Sequence, residues 1–177
     1  MSKQLWLDLE TTGLHAGEHH VLEVGLILTN GQQEEIARYQ AVVNQPKYVL
    51  EKMNDVCHDM HTSNNLMRES LQSTKSLDQV EQEILNFIRT HVYNNETLIL
   101  CGSSIHFDRS FIKVHMHGLD RRLHYRMIDV TSYKEGIKGF FEFELPRSRP
   151  GHRAIPDVEG SLFEFKQYMK MITVKAS

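Results

Sequence analysis

Cysteine, long apolar runs and an excess of either charge are all scarce in this chain, and each shortage removes a class of protein. Two cysteines, Cys57 and Cys101, among 177 residues are too few for a disulfide framework and too far apart for a Cys-x-x-Cys pair. Both read as small core residues of a protein kept in a reducing compartment. No apolar run is long enough to cross a bilayer. The N-terminus lacks the charged region, apolar stretch and small-residue cleavage site of a secretory leader, so a cytoplasmic protein without membrane contact is expected. With 20 basic and 23 acidic residues the net charge is -3 and the pI is near 6.4. That argues against gripping a long duplex through a broad basic face. Short strands held at a few phosphates remain compatible, because bound cations add positive charge that the formal count omits. There are no internal repeats or low-complexity tracts, and the length suits one domain over residues 1–177.

What is present is a readable order of elements. Residues 4–10, 21–29 and 36–43 read as strands, the last two joined around Asn30-Gly31, a turn signal that favours antiparallel pairing. Residues 53–73 carry a weak pattern of one or two short helices. Ser76 then caps a helix with Gln79 three residues on and Leu77, Val80, Ile84, Phe87 and Ile88 at helical spacing; it reads as core packing alone. Residues 97–101 form a short strand that gives way at Gly102 to a helix with Phe111, Ile112, His115 and Met116 on one side. A fifth strand over 124–130 and a further helix follow. Residues 142–153, interrupted by Pro146, Pro150 and Gly151, read as a mobile loop. Ile155, Val158, Leu162, Phe165 and Met169 mark a last amphipathic helix with Pro156 and Asp157 in its first turn. Three antiparallel strands followed by alternating strand and helix imply an α/β fold, a mixed sheet flanked by helices.

Five side chains carry the chemistry. Asp8 and Glu10 stand at i and i+2 of the first strand and so project side by side from an apolar run. Desolvated without a cation, one of them must protonate; a divalent ion between them removes that penalty. Asp108 near a helix start, and His152 five positions before Asp157, complete a set suited to phosphodiester cleavage. Two divalent ions held ~4 Å apart would serve the nucleophile and the leaving oxygen, and carboxylate oxygens suit Mg²⁺ or Mn²⁺. An imidazole titrating near neutral pH suits His152 to deprotonating the attacking water.

In this order, Asp-x-Glu, a middle Asp and His-x4-Asp, the chain resembles the DEDDh family of 3′-5′ exonucleases. Within that family it is similar to the oligoribonuclease branch through Trp6 to Leu14, Cys57 to Thr62, Cys101 to Arg109, and His124-Tyr125-Arg126-Met127-Ile128-Asp129-Val130. The resemblance implies a ribonuclease-H-like sheet with the first strand central, and cleavage of short oligoribonucleotides, down to dinucleotides, to nucleoside 5′-monophosphates. It further implies that Leu14 wedges between the last two bases and that His61 and Ser104 lie near the substrate. Tyr125 and Arg126 would reach in from the second subunit of a homodimer to close off the 5′ phosphate. Four departures stand out: Thr11 where Met is usual, Ser103 for Asn, Pro156 for an acidic residue, and a shorter segment before His152.

Singly, each signal has an ordinary explanation. Asp108 and Asp157 suit first turns of helices, Tyr125 suits a cross-strand aromatic pair and Leu14 a buried turn residue. Two rival functions follow from the same residues. Thr11 favours a DNA proofreading or repair exonuclease, which His124-Tyr125-Arg126 disfavours. A catalytically silent nucleic-acid-binding module is disfavoured by the intact carboxylate and histidine set.

Overall fold

The first strand is buried on both faces, so its alternate side chains must enter two different layers. A computed structural model describes residues 3–93, 96–142, 145 and 151–175. In chain order the elements are β1 (Gln4–Thr11), β2 (Val21–Thr29), β3 (Glu35–Val42), α1 (Lys47–Leu50), α2 (Asp55–Ser63), α3 (Leu66–Gln72) and α4 (Leu77–His91). Then come β4 (Leu98–Gly102), α5 (His106–His115), α6 (His117–Asp120), β5 (Leu123–Asp129), α7 (Val130–Phe141) and α8 (Ala154–Lys175). The five strands lie in one sheet in the order β3-β2-β1-β4-β5. β1 to β3 form an antiparallel meander, and β4 and β5 run parallel to β1, as the sequence implied.

Leu5, Leu7 and Leu9 pack with Leu26 and Leu28 in one core under Val80, Ile84 and Ile88 of α4 and Phe111 and Ile112 of α5. Trp6 enters the opposite core with Ile27 and Cys101 under Val130 of α7 and Val158, Leu162 and Phe165 of α8. Asp8 and Glu10 continue the Trp6 row, so a period of two aims them at the layer that holds α8.

Several expectations change in detail. Asn30 and Gly31 do not make a two-residue hairpin turn. Asn30 N–H donates to Glu34 O (3.0 Å), Gln33 takes φ 61°, and the Asn30 carboxamide accepts from Gln32 and Glu34 backbone N–H groups, closing a longer loop. Residues 53–73 hold two helices that meet at a corner where Asn65 takes φ 70°. Their pattern is weak because each buries only two side chains, Cys57 and His61 in α2 and Leu66 and Ser70 in α3. The loop expected over 142–153 falls mostly on residues 143–144 and 146–150, outside the described residues. Cys57 and Cys101 are buried free thiols. No helix among the described residues is long and apolar enough to cross a membrane.

The α4 cap is as expected and complete. Ser76 Oγ accepts from Gln79 N–H (3.2 Å) and Gln79 Oε1 from Ser76 N–H (2.8 Å). Ser76→Ala is expected to lower stability by ~1 kcal/mol without changing activity, read from denaturant unfolding.

Candidate active site

β1 pairs with β4 only from Gln4 to Trp6, so the second half of β1 has an open side at the carboxyl ends of the parallel strands. Open α/β sheets place ligands at such ends. On the Trp6 face of this opening, carboxylate oxygens of Asp8, Glu10 and Asp157 lie within 4.8 Å of one another. Asp157 gets there because the first turn of α8 sits directly on β2. Gly25, paired with Asp8 across β1 and β2, makes that approach possible: a Cβ there would stand 2.6 Å from the Ala154 carbonyl carbon.

Asp108 stands apart from this trio. It belongs to α5, on the opposite face of the sheet, so the remaining carboxylates do not all come from one helical layer. It is 3 % exposed, and its Oδ1 accepts from Leu9 N–H (2.9 Å), which β4 leaves without a ladder partner. Its carboxylate also takes a bond from its own N–H in the first turn of α5, and it lies close enough to Asp8 for the two to repel.

Crowding of like charge governs this site. Burial, then Asp157 and Glu23, push the Asp8 carboxyl from 3.8 up to about 7. Burial, then Asp8, Asp157 and Glu23, push Glu10 from 4.5 up to about 8, with Arg153 pulling the other way. Burial and Asp8 raise Asp108 well above its ordinary value, and burial raises Asp157 while His152 pulls it down. A hard, all-oxygen donor set that is short of positive charge fits a hard divalent cation.

The pH dependence of the metal-free protein follows. Carboxyls raised on folding hold protons that the unfolded chain has already released, so stability falls as pH rises from about 4 through their folded values near 7 and 8. Glu23 has a lowered value, from an ordinary 4.5, so its stabilising contribution is complete above that pH and does not offset the loss. Calorimetry in EDTA should show the melting temperature falling between roughly pH 5 and 8, with Mn²⁺ restoring more at the upper end. A flat profile would contradict the crowding.

The remaining predicted residues take distinct places. His152 is exposed in a left-handed conformation, φ 47°, two residues before α8, and its charge is felt by both Asp157 and His61. Leu14 is 69 % exposed, which removes the buried-turn reading. His61 is fully buried; its Nε2–H donates to Thr11 O (2.9 Å) under the turn that carries Leu14, and its Nδ1 has no partner among the described residues. Ser104, at φ 50°, donates its N–H to Asp129 Oδ1 and Thr131 Oγ1, both at 2.9 Å.

Tyr125 and Arg126 lie on edge strand β5, where the register steps from Leu98↔Leu123 to Leu100↔Met127. Two residues of β4 thus face four of β5, and the surplus bulges outward. Tyr125 is 75 % exposed, stacked on His124 at 4.4 Å with Arg126 over its ring at 5.2 Å, which is not a cross-strand pair. Among the departures, Thr11 donates its hydroxyl to Gly13 O (2.8 Å) and Ser103 Oγ pairs with Ser161 Oγ (2.8 Å).

Comparisons with known proteins agree with this geometry. A family profile described as Exonuclease matches residues 5–165. A probable oligoribonuclease of Caenorhabditis elegans is 34% identical over 175 residues, covering 98% of this chain and 90% of that one. The oligoribonuclease of Rhodococcus jostii is 37% identical over 172 residues, covering 95% and 86%. This chain belongs to the exonuclease family, in its oligoribonuclease branch. The exonuclease also shares its fold with more distant solved structures. The nuclease domain of 3′hExo, a DEDDh family member bound to rAMP, superposes with a TM-score of 0.61 at 11% identity, covering 97% of this chain and 92% of that one. E. coli Exonuclease I in complex with an oligonucleotide gives 0.73 at 12%, covering 97% and 41%.

Sequence reading missed Glu23, Gly25, Asn64 and Arg153. Glu23 was open to detection: a lone carboxylate inside the apolar run Val21-Leu22-Glu23-Val24 demands a buried partner.

Proposed function

We propose that this exonuclease degrades short single-stranded oligoribonucleotides, dinucleotides included, from the 3′ end to nucleoside 5′-monophosphates. The observation that carries the reading is the convergence of Asp8, Glu10 and Asp157 within 4.8 Å, with Asp108 adjoining Asp8 from the other layer. These four carboxylates would hold two Mg²⁺ or Mn²⁺ ions. When bound, the ions neutralise the scissile phosphate and favour ionisation of the attacking water.

The chain's own residues do the rest. An imidazole nitrogen of His152 takes the proton of the attacking water, and its exposed position gives it access to solvent for releasing that proton. Leu14, projecting from a turn held below by His61, separates the last two bases. Ser104 lies near the substrate, and His61 lies just beneath it, its buried ring bracing the turn through Thr11 O. In a homodimer, the bulged Tyr125 and Arg126 of the second copy close the far end, stacking on a base and pairing with the 5′ phosphate. The two buried thiols suit a cytoplasmic setting.

The test is hydrolysis of 5′-labelled RNAs, from the dinucleotide upward, with Mn²⁺, beside Asp108→Ala and a long single-stranded DNA control. Loss of cleavage in the folded variant supports the reading; better cleavage of the DNA favours the proofreading alternative that Thr11 suggests. Tyr125→Ala should lower dinucleotide cleavage by roughly tenfold or more while sparing longer RNAs, since stacking contributes ~1–3 kcal/mol per base. Unchanged dinucleotide turnover in that variant would remove the capping role.

A further inference from the structure

The segment 152–154 joins His152 to the start of α8, and a dense polar clasp fixes it. Arg153 presents Nε and Nη2 to the two oxygens of Glu23 on β2, at 3.0 and 2.8 Å. Its Nη1 and Nη2 also donate to Glu69 on α3, at 3.1 and 2.6 Å, and Nη1 to Asn64 O at 3.4 Å. Glu23, fully buried, spends its second capacity on Ala154 N–H (3.0 Å) and accepts from Gln40 Nε2 (2.7 Å). The Asn64 side chain closes the ring from the other side, donating Nδ2 to His152 O at 2.5 Å.

Three separate elements thus hold the two residues that follow His152 and the carbonyl of His152 itself. The held conformation is one that a non-glycine residue rarely adopts, φ 47°. Such a backbone persists only where its surroundings over-determine it. A guanidinium suits this duty because its planar donors can grip two carboxylates at once, which a lysine ammonium does not reproduce.

We propose that Arg153, with Asn64, is a positioning residue: it holds His152 in the left-handed conformation that keeps the imidazole near Asp157. The proposal rests on the reading of His152 as general base. It makes the α2–α3 corner, which contributes no carboxylate to the cluster, part of the catalytic apparatus. A displacement of the reacting group by about 1 Å can lower turnover by on the order of a hundredfold.

The test uses a variant that spares the Glu23 fork, because removing Arg153 alone strands a buried carboxylate and endangers folding. Asn64→Ala combined with Glu69→Gln loosens the clasp on its exposed side. Expected is a fall in kcat of about tenfold, with KM and calorimetric Mn²⁺ affinity held within about a factor of two, since His152 is not a metal ligand. Amide exchange at Arg153 and Ala154 in the metal-free protein should quicken. Placed in a His152→Ala background, the same pair of substitutions should cost no further turnover, because the clasp acts through that imidazole.

Unchanged kcat in the clasp variant, while His152→Ala is impaired, overturns the positioning role and leaves the general-base reading standing. A parallel fall in kcat and Mn²⁺ affinity, or additive losses in the double background, also overturns it by assigning the clasp to Asp157 or to general stability. If His152→Ala itself keeps full turnover, the general-base reading fails and the positioning role falls with it.

Discussion

Asp8→Asn should lower turnover by on the order of a thousandfold or more and, in the metal-free protein at pH 8, raise the melting temperature. The two effects have one cause. Asp8 sits between the Glu10–Asp157 cluster on one side and Asp108 on the other, so it is the charge that all the rest repel. Without a cation its ionised form is opposed by burial and by Asp157 and Glu23, and a neutral amide of the same shape relieves that opposition. Each kcal/mol relieved should appear as a rise of about 2–4 °C for a chain of this size. With Mn²⁺ the order reverses, because the wild type gains binding energy that the amide forfeits. Melting curves with and without EDTA, run beside turnover on a short RNA, read both effects. A lower melting temperature for the metal-free variant at pH 8 would show that the carboxylate is held by favourable contacts, and the crowding account would fail.

Gly25→Ala carries the second large effect, although Gly25 touches no part of the substrate path. Its added methyl would meet the Ala154 carbonyl carbon at 2.6 Å, Ala154 Cβ at 2.7 Å and Ile155 N at 2.8 Å, all far inside ordinary contact. These atoms are mostly helix backbone and cannot rotate away, so the start of α8 must lift from β2. Asp157 and His152 ride on that start, and a shift of about 1 Å in either should reduce turnover by on the order of a hundredfold. Overpacking of this kind also lowers stability by about 1–3 kcal/mol. Normal kcat in a folded Gly25→Ala protein would show that the helix start is not pinned to the sheet as described. Mn²⁺ affinity separates the routes: it falls when Asp157 moves and holds when only His152 does.

Most of the fold was legible because periodicity is local. Leu5, Leu7 and Leu9 against Trp6, Asp8 and Glu10 are a period of two within one strand, and the Ser76 to Ile88 helix carries its own cap and apolar stripe. The weakest stretch to read, 53–73, buries little, so its sequence had little pattern to show. The bulge at Tyr125 was illegible for another reason: it is a mismatch in length between β5 and β4, and neither strand alone records it.

By itself the sequence proposed which side chains bear the chemistry: Asp-x-Glu or His-x4-Asp alone is a common spacing, and the case came from Asp8 and Glu10, Asp108, and His152 with Asp157 occurring in that order, each at the end of a strand or the start of a helix. Only the tertiary structure decided how they meet. Asp108 comes from the opposite layer because β4 stops short and leaves Leu9 N–H to be satisfied, and Asp157 reaches β1 because Gly25 admits the helix. Arg153 finds Glu23, 130 residues earlier, because strand register and helix docking bring them together. Those are relations between elements distant in the chain, and a pattern read along one segment contains no term for them.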